Sequence, residues 1–164
     1  MSSPSSSTSD SARPVDSTEA MPASVERVLK YFRSLGREEK MAALVQYSRK
    51  LEPLPERLQG LDRSAFNVPE CQTRVELFPE VRDGRMHFYA DLNARQSPTI
   101  AAFLAILFQA INDQPPTTTL AIPADFVRQL MEGIGLAGRE SGLTAMLTRV
   151  KRHAAAAQAA GAPS

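Results

Sequence analysis

Apolar residues recur at spacings of three and four through most of the chain, and the spacing changes to two in one stretch only. Val25, Val28, Leu29 and Phe32 predict a helix over residues 22–35, with Pro22 at an early helical position and Gly36 at the stop. Met41, Leu44, Val45 and Ser48, with Ala42 beside them, predict the inner stripe of a second helix over residues 38–50. Pro53 and Pro55 stop it, and the short connection makes the pair a helical hairpin. Residues 56–70 read as a long connection punctuated by Gly60, Asp62, Asn67 and Pro69. A loop of that length in a compact domain is often functional.

The alternating stretch follows. Val75 and Leu77 alternate with Arg74 and Glu76, and Met86, Phe88 and Ala90 alternate with Arg85, His87 and Tyr89. Asp83-Gly84 between them is a tight-turn pair, so a β-hairpin is predicted, with Pro79 marking an edge or a bulge. Two strands alone are marginal and need a helix layer or a third strand. Ser97-Pro98 reads as a capping hydroxyl followed by proline at the first helical position. The helix it opens, to about Asn112, carries Ile100, Phe103, Leu104, Leu107, Phe108 and Ile111 and should be the most buried, lying across the sheet. Pro115-Pro116 ends it; residues 124–132 form another helix with Phe126, Val127, Leu130 and Met131 inward. A last helix starts near Ser141 on Leu143, Met146, Leu147 and Val150. The expected class is α+β: two N-terminal helices, a hairpin or three-stranded antiparallel sheet, a long central helix, then C-terminal helices.

Composition adds boundaries. Seven serines lie within residues 1–11 of the 164, without apolar periodicity, so residues 1–21 are expected to form a disordered leader. Residues 22–153 form the domain, and the alanine-rich 154–164 a flexible tail. A net charge of +1 gives no electrostatic footprint for nucleic acid, and no run of apolar residues is long enough to cross a membrane. The start lacks the pattern of a secretory signal, and the acidic Asp10, Asp16 and Glu19 speak against a transit peptide; the expected location is cytoplasmic.

The single cysteine, Cys71, rules out an intramolecular disulfide or a Cys-rich metal or cluster site. A lone cysteine is commonly a small buried hydrophobe. Cys71, however, sits in the polar, turn-like Asn67-Val68-Pro69-Glu70-Cys71-Gln72-Thr73, just before the first strand. There a nucleophile can project from a loop on a rigid support. Arg74 favours a thiolate and Glu70 opposes it. His87 and His153 are too few and too separated for a metal site, and both are expected to face solvent. Asp91 and Asn93 read as the start of a turn, and Arg139 as a loop arginine that is either solvated or aimed at a partner.

These residues resemble a known family. Glu70-Cys71-Gln72-Thr73-Arg74-Val75-Glu76 is similar to the Gly-Cys-Gln-Ser-x-Val-Trp motif of the SufE family of cysteine desulfuration proteins. The closer likeness is to a branch with a Pro-Pro-rich connection and an acidic residue before the cysteine. Gly135-Leu136-Ala137-Gly138-Arg139-Glu140-Ser141-Gly142-Leu143-Thr144-Ala145-Met146-Leu147 resembles the family's C-terminal segment, and Leu54-Pro55-Glu56-Arg57-Leu58 the approach to the cysteine. The likeness runs over residues 23–154. Glu70, Thr73 and Glu76 depart from the family's Gly, Ser and Trp, and Asp91-Leu92-Asn93 from its acidic-serine-acidic segment.

The resemblance implies a fold shared with cluster-assembly scaffold proteins. It implies no cofactor of the chain's own, but a transient persulfide on Cys71, supported by Arg139. The partners implied are a SufS-like cysteine desulfurase, which carries pyridoxal phosphate and is stimulated, and an iron–sulfur scaffold protein. The chain would then be a sulfur-transfer partner, not a free-standing enzyme. The alternatives are a non-catalytic binding or regulatory module with an inert buried cysteine, and a stand-alone thiol hydrolase, which would need a base beside Cys71.

Overall fold

The structure, a computed structural model, describes residues 21–69, 74–134 and 140–161. The serine-rich leader lies outside the described residues. Helix α1 (Ala23–Arg33) buries Val25, Leu29 and Phe32, as the spacing predicts. Helix α2 (Arg37–Ser48) starts at Gly36, whose backbone N–H donates to the Glu39 carboxylate at 2.7 Å. Its inner face differs from the expected one. Met41 and Val45 are about half exposed, and Lys40, Ala43 and Leu44 are buried, with Tyr47 packed against the core. Positions 40, 43, 44 and 47 form an equally good helical stripe, hidden in the sequence because a lysine occupies it. Lys40 lays its stem inward and donates from Nζ to the Glu132 carbonyl at 2.7 Å.

The long connection is not structureless. It holds a one-turn helix α3 (Glu56–Gln59) and a 3-10 turn at Arg63–Ala65, which Asp62 starts by accepting from the Ser64 N–H and hydroxyl. The hairpin forms as predicted from β1 (Glu76–Arg82) and β2 (Arg85–Asp91). Asp83 and Gly84 both have positive φ (52° and 77°), the requirement of a type I′ turn. The register runs without a bulge from Glu76 opposite Asp91 to Arg82 opposite Arg85.

Among the described residues the sheet is the two-stranded hairpin, and irregular backbone lines both its edges. On one side the Leu77 N–H donates to the Phe66 carbonyl, and the Val68 N–H to the Val75 carbonyl. On the other, Met86 pairs with Gln114 and Asp113. The Asn112 side chain closes on both the N–H and the carbonyl of Phe88. Phe88 thus directs its backbone groups away from its partner Pro79, so the missing proline donor costs this pair nothing. Edge groups that would otherwise stay unpaired are satisfied within the chain.

Leu77, Met86, Phe88 and Ala90 point to the main core, under helix α4 (Pro98–Ile111). Ser97 holds the N-cap position without a side-chain capping bond, while the Asn93 side chain accepts from the N–H groups of Arg95 and Gln96. α4 is buried almost all round, which fits a central helix. Each large side chain it buries contributes about 1.5–3 kcal/mol. Pro116 does more than end α4: it opens the short α5 (Pro116–Leu120), which the sequence reading missed. Helix α6 (Phe126–Met131) buries the four residues expected of it. Helix α7 (Glu140–Gly161) buries Leu143, Met146, Leu147 and Val150 and then runs on past residue 153, with Ala154 fully buried. The alanine-rich stretch expected to be a flexible tail is therefore helical to Gly161, in keeping with alanine's propensity.

The architecture is α+β: N-terminal helices, a small antiparallel sheet, a long central helix and C-terminal helices. The second face of the hairpin carries Glu76, Phe78 and Glu80 beside Asp91, Tyr89 and His87. Its middle is a small apolar cluster in which Leu54, Leu58 and Phe66 cover Phe78 and Tyr89. A polar cluster lies at each end.

Candidate functional site

Cys71 and Arg139 both lie outside the described residues. Their surroundings are described. The residues flanking the cysteine are paired: the Val68 N–H donates to the Val75 carbonyl at 2.9 Å, and Asn67 bridges Glu76. From α7, Arg149 Nη1 donates to the Asn67 carbonyl at 3.1 Å, fixing the incoming stem to the last helix. Arg139 directly precedes α7.

Beside these stems is a cluster of four charged groups. Glu76 is only 3% exposed, although it opens a strand. Arg63, thirteen residues earlier, donates from Nη1 to Glu76 Oε1 at 3.0 Å and also bonds the Asp91 carboxylate. Arg74 donates from Nε to Glu76 Oε2 at 2.9 Å, while 75% of its side chain stays exposed. Arg63 also lies over the Phe78 ring, 6.0 Å from its centroid. Asp91 first, and then Glu76, hold the Arg63 guanidinium still more firmly protonated than usual. The buried carboxylate is thus paired twice, as a buried charge requires. Two open clefts of about 560 Å³ each share the wall formed by Arg63, Arg74 and Glu76. One adds Asp91, Leu92, Asn93 and Gln96; the other adds Ser64, Asn67, Val68 and Pro69.

Three readings of the sequence change here. Asp91 does not merely begin a turn; it ion-pairs with Arg63, while Asn93 starts the turn. His87 does not face solvent: 14% of its side chain is exposed, with Nε2 2.7 Å from Glu52 Oε1 and Nδ1 3.0 Å from Asp113 Oδ1. Burial pushes its imidazole pKa down, but the bonds to Asp113 and Glu52 outweigh this and leave it raised. His153 is also drawn in, 6.5 Å from the Phe66 ring centroid, with Nε2 buried and unbonded. Burial and then Arg149 lower its pKa. Among the described residues, no group of three or more His, Cys, Asp or Glu side chains is placed to hold a metal ion. No described helix is long and apolar enough to cross a membrane.

Arg63, the burial of Glu76, and Arg149 escaped the sequence reading. One signal was available for Glu76: in a strand it shares a face with Phe78, and an aromatic two residues on argues that this face is covered.

The geometry can be set beside known proteins. The family profile described as SufE, an Fe-S metabolism associated domain, matches residues 26–154. Proteins called uncharacterized SufE-like proteins from two strains of Mycobacterium tuberculosis are each 33% identical over 141 residues, covering 81% of this chain and 92% of the relative. The solution structure of a hypothetical protein from Thermus thermophilus superposes with a TM-score of 0.70 at 25% identity, covering 85% of this chain and 98% of that one. The family match encloses the Cys71 segment, its paired stems and the Arg63–Glu76–Arg74 cluster, and the chain belongs to the SufE family, with a general role in sulfur transfer for iron–sulfur metabolism.

Proposed function

We propose that Cys71 takes sulfane sulfur from the persulfide of a pyridoxal-phosphate-dependent cysteine desulfurase, stimulates that enzyme, and passes the sulfur to an iron–sulfur scaffold protein in the cytoplasm. What supports this reading is that the chain's one thiol lies inside the region the family model matches, in a segment that resembles the family's cysteine motif. In the transfer, the Cys71 thiolate attacks the outer sulfur of the partner's persulfide. The partner's S–S bond breaks, its cysteine leaves as a thiolate, and the sulfane sulfur stays on Cys71 as a new persulfide. A serine in its place has neither the low pKa nor the polarizable sulfur for this exchange. Cys71→Ser is expected to lose nearly all stimulation of the desulfurase, measured as alanine production, while keeping its fold. Stimulation equal to wild type would refute the sulfur-acceptor role.

Arg139 is assigned a supporting role toward the thiol or the desulfurase surface, on its match to the family arginine. Arg139→Ala should weaken stimulation severalfold at unchanged melting temperature. Unchanged stimulation across a desulfurase titration would remove it from the site. A thiol hydrolase would need a base beside Cys71, and His87 does not supply it, because it spends both ring nitrogens on Glu52 and Asp113. It also sits four positions along the face from Asp91, about 13 Å at the rise of a strand.

A further inference from the structure

Helix α2 carries an apolar stripe on the side turned away from the core. Its inner residues, Lys40, Ala43, Leu44 and Tyr47, face α1 and α4. On the opposite side Met41 and Val45, one turn apart, are 46% and 48% exposed, with Ala42 exposed beside them. Tyr31, Leu61 and Val81, the other exposed large apolar side chains among the described residues, stand singly elsewhere. The stripe ends in opposite charges: Glu38 at its N-terminal end and Arg49, just past the last turn, at its C-terminal end, both exposed. At about 100° per residue, Glu38, Met41, Ala42, Val45 and Arg49 fall within one arc of about 100°. Among the described residues neither Glu38 nor Arg49 forms an ion pair.

We propose that this face of α2 pairs with the same face of a second copy of the chain, the two helices antiparallel about a two-fold axis. With the axis level with the middle of the stripe, between Ala43 and Leu44, Glu38 of each copy stands level with Arg49 of the other. Met41, Ala42 and Val45 of the two copies meet between these charged ends, and the small Ala42 lets the helices approach. A parallel pair would set Glu38 against Glu38 and Arg49 against Arg49, an arrangement that like-charge repulsion disfavours. The stripe is thus its own complement in one orientation, which is the ground for choosing a second copy as its occupant. A helix of 12 residues is about 18 Å long, so this face alone buries less than the ~1,200 Å² of a stable complex. The dimer is therefore a weak one, with a Kd on the order of 100 µM. The pairing is independent of the role proposed for Cys71.

The test is sedimentation equilibrium of the full chain under reducing conditions, from about 10 µM to about 1 mM, a range that brackets the expected Kd. The average mass should rise with concentration from one copy toward two. Glu38→Arg puts two arginines at each end of the pair, and Arg49→Glu puts two glutamates there. Each variant alone should weaken self-association about tenfold or more. An equal mixture of the two restores an opposite pair at both ends and should associate as well as wild type, which a general loss of folding would not do. Val45→Lys should weaken the dimer as strongly as either charge reversal. All three substituted side chains are exposed, so the melting temperatures should stay unchanged. If Val45→Lys does not fold, the charge-reversal pair decides alone. A wild type of single-copy mass throughout overturns the proposal. So does a dimer that Val45→Lys leaves intact, or a mixture that associates no better than either charge variant alone. A wild type that stays monomeric until residues 1–20 are removed would give the face to that segment, and a monomeric wild type whose binding to the desulfurase is lost in Val45→Lys would give it to that enzyme; either result overturns the proposal.

Discussion

The two ends of the hairpin's second face are built alike and behave differently. At each end an arginine lies over an aromatic ring of the central cluster, Arg63 over Phe78 and Arg57 over Tyr89. At each end that arginine binds a strand carboxylate: Arg63 binds Glu76, and Arg57 binds Glu80 through two bonds of 2.9 and 2.7 Å. Beside Cys71, however, the cluster holds only guanidinium and carboxylate groups. Their charges stay constant across the pH range in which a thiol is tuned. At the far end Arg82 also pairs with Glu80, and beside them His87, held by Glu52 and Asp113, can lose its charge in that range. The Arg63–Glu76–Arg74–Asp91 cluster thus keeps a constant charge, while the cluster at the far end includes a histidine that titrates; His153, against Phe66, belongs to neither.

Both ends rest on one core, so the largest effect should abolish the difference between them. Phe88 is fully buried between the sheet and α4, against Phe108. Phe88→Ala should cost about 3–5 kcal/mol in urea unfolding and weaken both clusters together. A loss below about 1 kcal/mol would show that the hairpin is not integral to the core. Next comes the contrast between single carboxylates. Glu76→Ala should cost about 2 kcal/mol, because it removes a buried, doubly paired acceptor. Glu52→Ala should stay within about 0.5 kcal/mol, since 56% of that side chain is exposed. Equal costs would erase the asymmetry.

The smallest effect is in pH. The raised pKa of His87 means that its contribution to stability is complete below its unfolded value of about 6.5 and is lost as pH rises through the folded value. The carboxylates that hold it are largely exposed, so the amount should be under about 1 kcal/mol. Stability of wild type minus His87→Asn, measured from pH 5 to 9, should therefore fall as pH rises. Taking the difference removes His153, whose lowered pKa acts with the opposite sign. A difference that stays flat or grows with pH would contradict the geometry at His87.

What the sequence made legible follows from where its information is local. The faces of α1, α6 and α7 could be read because period 3.6 and burial coincide there, and the turn because Asp83-Gly84 suits positive φ. The face of α2 was misread because a buried lysine broke the apolar pattern and left Met41 and Val45 as the more apolar choice. The Arg63–Asp91 and His87–Glu52 pairs join residues 28 and 35 positions apart, and no local pattern encodes such pairing. Cys71 stood out by motif and by being the single thiol. The frame around it did not, since Glu76 read as an ordinary polar position of an alternating strand.

The central claim is that Cys71 carries the sulfur. The direct measurement is the mass of the Cys71 peptide after the chain is incubated with its desulfurase, pyridoxal phosphate and cysteine. One added sulfur atom on that peptide, removed by a thiol reductant and absent from Cys71→Ser while the variant still binds the desulfurase, is the predicted result. A peptide of unchanged mass, with the desulfurase turning over and the chain bound to it, would contradict the account.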